Sequence, residues 1–196
     1  MGGWHKLNTL CEDPKGNLLA MLKENIDNEV VNTQDMVMGE DFDTLISILE
    51  SMGKGYDSEL VDGEWLLVFE KNGKKSRRVQ KSIGKMHKFG STYSNFDVFS
   101  RTFENTSSTP RGNGTLKAKL DFTPIGDGFS KIDDKIILRR IACKISGAGF
   151  KYWKLPRVPL PFRAKGYLDF IYLDEDIRIT RGNRGGIFIH VREGVL

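Results

Sequence analysis

The chain has 196 residues, of which 39% are hydrophobic and 29% charged, and its formal net charge is +4. A chain of this length is expected to form one domain, and its apolar content is sufficient for a hydrophobic core, which excludes a disordered polyampholyte. No run of apolar residues approaches the roughly 18 that a membrane-spanning helix requires, which excludes an integral membrane protein anchored by such a helix.

The charge is distributed unevenly along the chain. Residues 1–61 carry 4 basic and 12 acidic side chains, whereas residues 62–196 carry 26 basic and 14 acidic ones. A basic body favours anionic partners, and charge alone does not distinguish nucleic acid from an anionic lipid surface. We therefore divide the chain into an acidic N-terminal segment over residues 1–61 and a basic domain over residues 62–196.

The acidic segment is predicted to be helical. Asp13-Pro14 is a plausible N-cap followed by proline at the first helical position, and apolar residues recur at helical spacing until Asp27. A second amphipathic helix is predicted from Asp41 to Met52, and Gly53 stands where a C-terminal cap is expected. The sequence thus predicts a pair of α-helices before the basic domain.

Beyond Gly63 the hydrophobic period changes to two, which is typical of β-strands. Short polar turns rich in glycine separate the apolar segments. Seven or so sequential strands joined by such turns predict a mostly β fold, either an antiparallel barrel or a sandwich. The predicted strands run from Trp65 to Phe69, Tyr93 to Glu104, Thr115 to Phe122, through Ile137, Ile141, Cys143 and Ile145, and from Tyr167 to Tyr172, Asp176 to Arg181 and Ile187 to Arg192.

A strongly basic stretch, Lys71 to Lys88, lies between the first two predicted strands and contains eight Lys or Arg and no acidic residue. Val79, Ile83 and Met86 stand at i, i+4 and i+7, which is typical of one apolar face of a helix. One interpretation is a basic amphipathic helix on an anionic membrane surface; the other is a solvated loop with a helix packed on the barrel. The residues assigned to the membrane surface are Lys74, Lys75, Arg77, Arg78, Lys81 and Lys85.

The sequence lacks the patterns that carry catalysis or metal binding. Cys11, Cys143 and three isolated histidines match neither a zinc site nor a small disulfide scaffold, and there is no nucleophile elbow or phosphate-binding loop. The acidic triplet Asp174-Glu175-Asp176 is expected to be structural and to pair with Arg178 or Arg181, because two carboxylates without a third ligand make a poor metal site. We expect no enzyme, no metal and no cofactor.

Two segments together resemble a known family. Gly63-Glu64-Trp65 has the Gly-x-Trp pattern that opens the first strand of lipocalin-like barrels. The run from Tyr172 to Ile189 contains Tyr-Leu-Asp-Glu-Asp, then Arg178-x-x-Arg181-Gly and an aromatic strand. This order of acids, arginines and glycines resembles the C-terminal signature of the plastid lipid-associated proteins, also called plastid fibrillins, and the resemblance covers roughly residues 14–193.

The resemblance implies a lipocalin-like antiparallel β-barrel, preceded by the pair of α-helices, that binds an apolar molecule such as a lipid, quinone, carotenoid or other isoprenoid. It implies a plastid location, peripheral to the thylakoid or the plastoglobule, although no transit peptide is visible in this chain. The alternative is an adaptor that docks and stabilises an enzyme of a lipid or isoprenoid pathway without storing a ligand. Nucleic acid is not expected, because the strands lack an aromatic platform interleaved with arginine.

The interior of an eight-stranded barrel is just wide enough for packed side chains or one small ligand. Trp65 and Gly63 are expected at the barrel floor. The resemblance implies that an arginine near the last strand, Arg178 or Arg181, covers Trp65 through cation–π contact and hydrogen bonds to strand-end carbonyls. The candidate ligand-binding residues, some of which are expected only to fill the core, are Phe99, Leu116, Leu120, Phe122, Ile141, Phe170 and Tyr172.

Overall fold

The computed structural model describes residues 10–27, 39–71, 91–109, 111–125, 130–132 and 135–196. Its helices α1 (Pro14–Asp27), α2 (Glu40–Met52) and α3 (Ser58–Val61) precede the strands. Within these ranges, the helices are too short or too polar to cross a bilayer. The strands are β1 (Gly63–Lys71), β2 (Thr92–Asp97), β3 (Thr102–Ser108), β4 (Gly114–Ile125), β5 (Ser130–Ile132), β6 (Lys135–Ile137), β7 (Arg140–Tyr152), β8 (Val158–Pro159), β9 (Lys165–Leu173), β10 (Ile177–Gly182) and β11 (Ile187–Val191).

The strands form an antiparallel sheet that closes on itself. Nine of them are ordered β4-β3-β2-β1-β11-β10-β9-β7-β8, and β4 also pairs with β7 from Gly114 to Ile125. Eight strands therefore make a ring, with the two-residue strand β8 attached to β7, while β5 and β6 form a separate hairpin. The predicted mostly β, barrel-like fold with N-terminal helices is confirmed.

The helices pack against the outside of the ring. The apolar stripe of α2, which the sequence predicts, is buried together with leucines of α1 against the outward faces of β1, β9, β10 and β11. This arrangement removes apolar surface of both layers from water, which is the main force that holds the helices in place. The outer cluster includes Leu18, Leu22, Phe42, Leu45, Leu49, Ile171, Ile177, Ile179 and Ile189.

A second cluster fills one end of the barrel interior. It is rich in aromatic rings, of which Phe96 and Phe103 stack with their centroids 4.5 Å apart. We call this end the floor and the opposite end the mouth. The floor cluster contains Val61, Trp65, Phe96, Phe103, Phe122, Ile141, Phe170 and Leu173.

Two predicted strands are divided differently in the structure. The stretch from Tyr93 to Glu104 is the hairpin β2–β3, whose turn begins where the Asp97 carboxylate accepts the Ser100 N–H at 2.9 Å. Arg101 completes this turn at φ 52°, so the single long strand predicted from the aromatic spacing is wrong. Ile137 belongs to β6 and not to the strand of Ile141. The domain boundary between residues 61 and 62 stays a prediction.

Candidate ligand-binding barrel

The floor is closed by α3 and Trp65. The Asp57 carboxylate caps α3 by accepting the N–H groups of Glu59 and Leu60 at 2.8 and 3.2 Å. Trp65 is completely buried, and its Nε1–H donates to the Val61 carbonyl at the end of α3 at 2.9 Å. The indole therefore joins the first strand to the helix that plugs the barrel.

Arg192, which is not among the predicted floor residues, covers Trp65 on the other side. Its guanidinium lies 3.9 Å from the indole centroid and donates to the carbonyls of Leu60, Asp62 and Glu64 at 2.9, 2.6 and 2.9 Å. The predicted role, cation–π contact plus hydrogen bonds to strand-end carbonyls, is thus performed by Arg192. The signal available in the sequence was its position at the end of the last predicted strand.

Gly63 makes this approach possible. Its φ of +88° is a conformation that favours glycine, and a Cβ there would lie 3.1 Å from Nη1 of Arg192. The structure thus places the glycine and the tryptophan of the Gly-x-Trp pattern together at the floor, held by one arginine.

Arg178 and Arg181 lie on opposite faces of β10. Arg178 is 2% exposed, and its guanidinium lies 5.2 Å from the Trp65 centroid and 4.7 Å from that of Phe96. Arg181 points outward and forms a two-pronged ion pair with Glu50 of α2 at 2.7 and 2.8 Å, which lowers the pKa of that carboxyl. Assigning Arg181 to the floor was therefore wrong, because side chains three residues apart on a strand face opposite ways.

The inward-facing residues divide into two zones. Phe122, Ile141 and Phe170 are fully packed in the floor cluster. Leu120 and Leu116 follow at alternate positions of β4 toward the mouth and are only half-buried. Of the candidate ligand-binding residues, these two leucines are the ones that face the interior and retain accessible surface.

Two other candidates do not face the interior. Phe99 lies in the β2–β3 turn and is fully exposed, because the chain reverses before it. Tyr172 packs against the outer cluster opposite Ile179, and its hydroxyl donates to Asp174 at 3.0 Å. A bulge in β9 between Phe170 and Tyr172 breaks the alternation, so residues two apart point to opposite faces.

The acidic triplet is structural, but its partner differs from the predicted arginines. Lys15 of α1 reaches Asp174 at 2.8 Å and Asp176 at 2.6 Å. Asp174 also accepts the N–H groups of Asp176 and Ile177, both at 2.9 Å, which fixes the turn into β10. In the described parts of the chain, no group of three His, Cys, Asp or Glu side chains is placed to hold a metal ion.

The residues assigned to a membrane surface, Lys74, Lys75, Arg77, Arg78, Lys81 and Lys85, lie outside the described residues. Their role therefore stays a prediction.

Comparisons with known proteins agree with the resemblance. A "Probable plastid-lipid-associated protein 12, chloroplastic" from Arabidopsis thaliana is 30% identical over 159 residues, 75% of this chain and 36% of that protein. A "Chromoplast-specific carotenoid-associated protein, chromoplastic" from Cucumis sativus is 33% identical over 84 residues, 40% of this chain and 23% of that protein. No solved structure matches.

The chain therefore spans 36% and 23% of the lengths of these two relatives. Both relatives are plastid proteins by name, which supports the predicted plastid location. Both names describe association with lipids or carotenoids, and neither describes an enzyme. The PAP_fibrillin family model matches residues 31–191, and the chain belongs to this family of plastid lipid-associated proteins.

Proposed function

We propose that the barrel binds or carries an apolar small molecule, namely a lipid, quinone, carotenoid or other isoprenoid, without catalysis and next to a plastid membrane or lipid body. The observation that carries this proposal is the contrast between the two ends of the interior. The floor is sealed by packed aromatic rings, whereas Leu116 and Leu120 nearer the mouth are half-buried although they face inward.

This contrast supports binding on physical grounds. An interior filled only for stability would bury its apolar side chains at both ends, because protein cores pack to high density. Apolar surface that stays accessible inside a barrel is stabilised by an apolar guest that displaces water. The names of the two relatives, which associate them with plastid lipids and carotenoids, support the same class of guest.

The direct test is organic extraction of the purified protein followed by mass spectrometry. We expect an apolar molecule in an amount comparable to the protein. If no ligand is recovered and the protein takes up no apolar fluorophore, the proposal fails and the adaptor becomes the leading interpretation.

A matched pair of variants locates the site. Leu120→Trp adds an indole to the interior, and we expect fluorophore uptake to fall at least about tenfold while the circular dichroism remains that of a β protein. Lys119→Trp places the same side chain on the outward, exposed face of β4 and serves as the control. Equal uptake by both variants would contradict a cavity at Leu120.

A further inference from the structure

Two buried polar side chains inside the barrel carry nitrogen atoms that have no hydrogen-bond partner among the described residues. Arg178 is 2% exposed and His190 is 8% exposed, and they face each other across β10 and β11. Within the described part of the chain, Nε and Nη1 of Arg178 and Nδ1 of His190 have no hydrogen-bond partner. Buried polar atoms are normally satisfied, so a pair of neighbouring exceptions calls for an explanation.

The charge of Arg178 also has no counter-charge among the residues that the structure describes. Burial, together with the positive charge of Arg192, lowers the pKa of Arg178 to about 9, so the guanidinium still carries its charge at neutral pH. Among the described residues, no carboxylate pairs with it; the faces of Trp65 and Phe96 are its only charge-stabilising contacts there. Arg192 already ties Trp65 to the strand-end carbonyls.

These groups stand at the base of the proposed ligand site. Toward the mouth, the next inward-facing residue of β10 is Thr180, which is also buried, and Leu67 and Phe188 of the neighbouring strands are half-buried. The interior thus combines one cation near the floor with apolar side chains such as Leu67 and Phe188 above it, and Glu70, opposite Phe188, adds a carboxyl whose pKa is raised by burial. A matching guest has an anionic head and an apolar tail.

We propose that Arg178 and His190 bind the carboxylate head of a long-chain apolar acid, whose tail extends past Leu116 and Leu120 toward the mouth. This inference rests on the proposed function. A charge-assisted hydrogen bond from a buried guanidinium is about twice as strong as a neutral one, which favours a carboxylate over its neutral ester. Burial and the nearby Arg178 hold the pKa of His190 well below its usual value, so its imidazole is neutral and donates one further hydrogen bond.

The test compares cis-parinaric acid with its methyl ester by fluorescence titration. We expect wild type to bind the acid at least about tenfold more tightly than the ester, and Arg178→Met to bind both with the affinity of the ester. Arg178→Met should leave the ligand-free protein at least as stable to urea, because it removes an unpaired buried charge. If Arg178 had only a structural role, its replacement would lower the stability and would not specifically remove the preference for the acid. A variant that keeps its stability but loses this preference therefore supports a role in binding.

The outcomes separate the two proposals. Equal affinity of wild type for acid and ester would overturn the carboxylate site and leave the proposed function standing, and this comparison needs no variant to fold. Binding of neither probe would overturn both. Retained preference for the acid in Arg178→Met would also overturn the assignment.

A separate observation concerns the surface around the mouth. Five of the eight exposed large hydrophobic residues in the described chain fall within residues 152–162, where they are 42% to 69% exposed. They are Tyr152, Trp153, Leu155, Val158 and Phe162. Tyr152 pairs with Gly114 at the start of β4, so these residues lie at the end of the barrel remote from the floor. We call residues 151–165, which include them, the mouth segment.

All charged side chains of the mouth segment are basic. Residues 151–165 contain five Lys or Arg and no acidic residue. Trp153 is held at φ 48°, a left-handed conformation unusual for its type, and its ring lies 5.7 Å from Lys154 Nζ. Exposed aromatic side chains among cations are typical of surfaces that enter the headgroup region of a bilayer.

We infer that the mouth segment, residues 151–165, docks on an anionic lipid bilayer. The charge complementarity is direct, since each basic residue near such a surface contributes about 1 kcal/mol. Docking there turns the mouth toward the membrane, so an apolar guest exchanges without crossing water. The inference concerns a different segment from the basic stretch Lys71 to Lys88.

The test is co-sedimentation with vesicles of phosphatidylcholine alone or with phosphatidylglycerol added. We expect binding only to the anionic vesicles, and at least about a tenfold loss for Trp153→Ser combined with Leu155→Ser. Phe99→Ser removes a fully exposed aromatic ring at the floor end and should bind as wild type. Equal binding to both vesicle types, or unchanged binding of the double variant, would overturn the inference.

Discussion

Replacing Trp65 with alanine tests whether the floor holds the barrel together. The indole is completely buried, and its removal leaves the Val61 carbonyl without its donor and Arg192 without the ring that it covers. Trp65→Phe is a milder change, because it keeps an aromatic ring but removes the N–H group.

The magnitude follows from these contacts. Truncation of a buried tryptophan to alanine typically costs about 3 to 5 kcal/mol in the free energy of unfolding. For a protein of this size, such a loss lowers the melting temperature by roughly 6 to 20 °C. Trp65→Phe leaves one buried acceptor unpaired, which costs about 1 to 3 kcal/mol.

The assay is urea unfolding followed by circular dichroism, with Trp153→Ala as the matched control. Trp153 is 69% exposed, so the same substitution there should change the unfolding free energy by less than about 0.5 kcal/mol. If Trp65→Ala and Trp153→Ala unfold at the same urea concentration, the indole does not hold the floor.

Three further predictions concern stability and reactivity. Gly53→Ala should cost about 1 to 3 kcal/mol in urea unfolding, because the new Cβ would lie 1.8 Å from the Ile171 carbonyl oxygen; wild-type stability would show that α2 is not pressed against β9. Burial raises the pKa of Asp174, but hydrogen bonds from Lys15 and backbone N–H groups outweigh it and hold that pKa below its usual value. The stability that Asp174 contributes is therefore complete above about pH 4 and lost as the pH falls further, so Asp174→Asn should flatten the acid limb of stability against pH. Burial raises the pKa of Cys143 to about 12, so iodoacetamide at pH 8 should label exposed Cys11 first; mass spectrometry showing equal rates would contradict the burial of Cys143.

Much of the barrel could be predicted because alternation is a local signal. The period of two in β4 gives the inward positions of Leu116, Leu120 and Phe122 correctly, since no bulge on β4 interrupts it. The bulge in β9 has no such local signal, and it moves Tyr172 to the outer face. The distinction is physical, because a bulge is set by the pairing with β10 and not by the residues of β9 alone.

Ion pairs between residues far apart in the sequence could not be predicted for a related reason. Glu50 and Arg181 are 131 positions apart, and Lys15 and Asp176 are 161 apart, so nothing in the sequence ties one to the other. Gly53 illustrates the same point. It is the C-terminal cap residue of α2, as predicted, but its φ is −64°, and the close approach of the Ile171 carbonyl, which the sequence does not show, explains why the residue is glycine.

The three arginines of the last strands make different contacts and have different roles. Arg192 binds strand-end carbonyls and covers Trp65, so the floor needs no second arginine for that purpose. Arg181 turns outward and fastens α2 through Glu50. Among the described residues, Arg178 remains as a buried cation with unsatisfied nitrogen atoms, which contacts the faces of Trp65 and Phe96 but no anion, and an unpaired buried charge is costly. A guest that brings an anion into the interior would compensate it, and Arg178 is therefore where the chemistry of the guest should be sought.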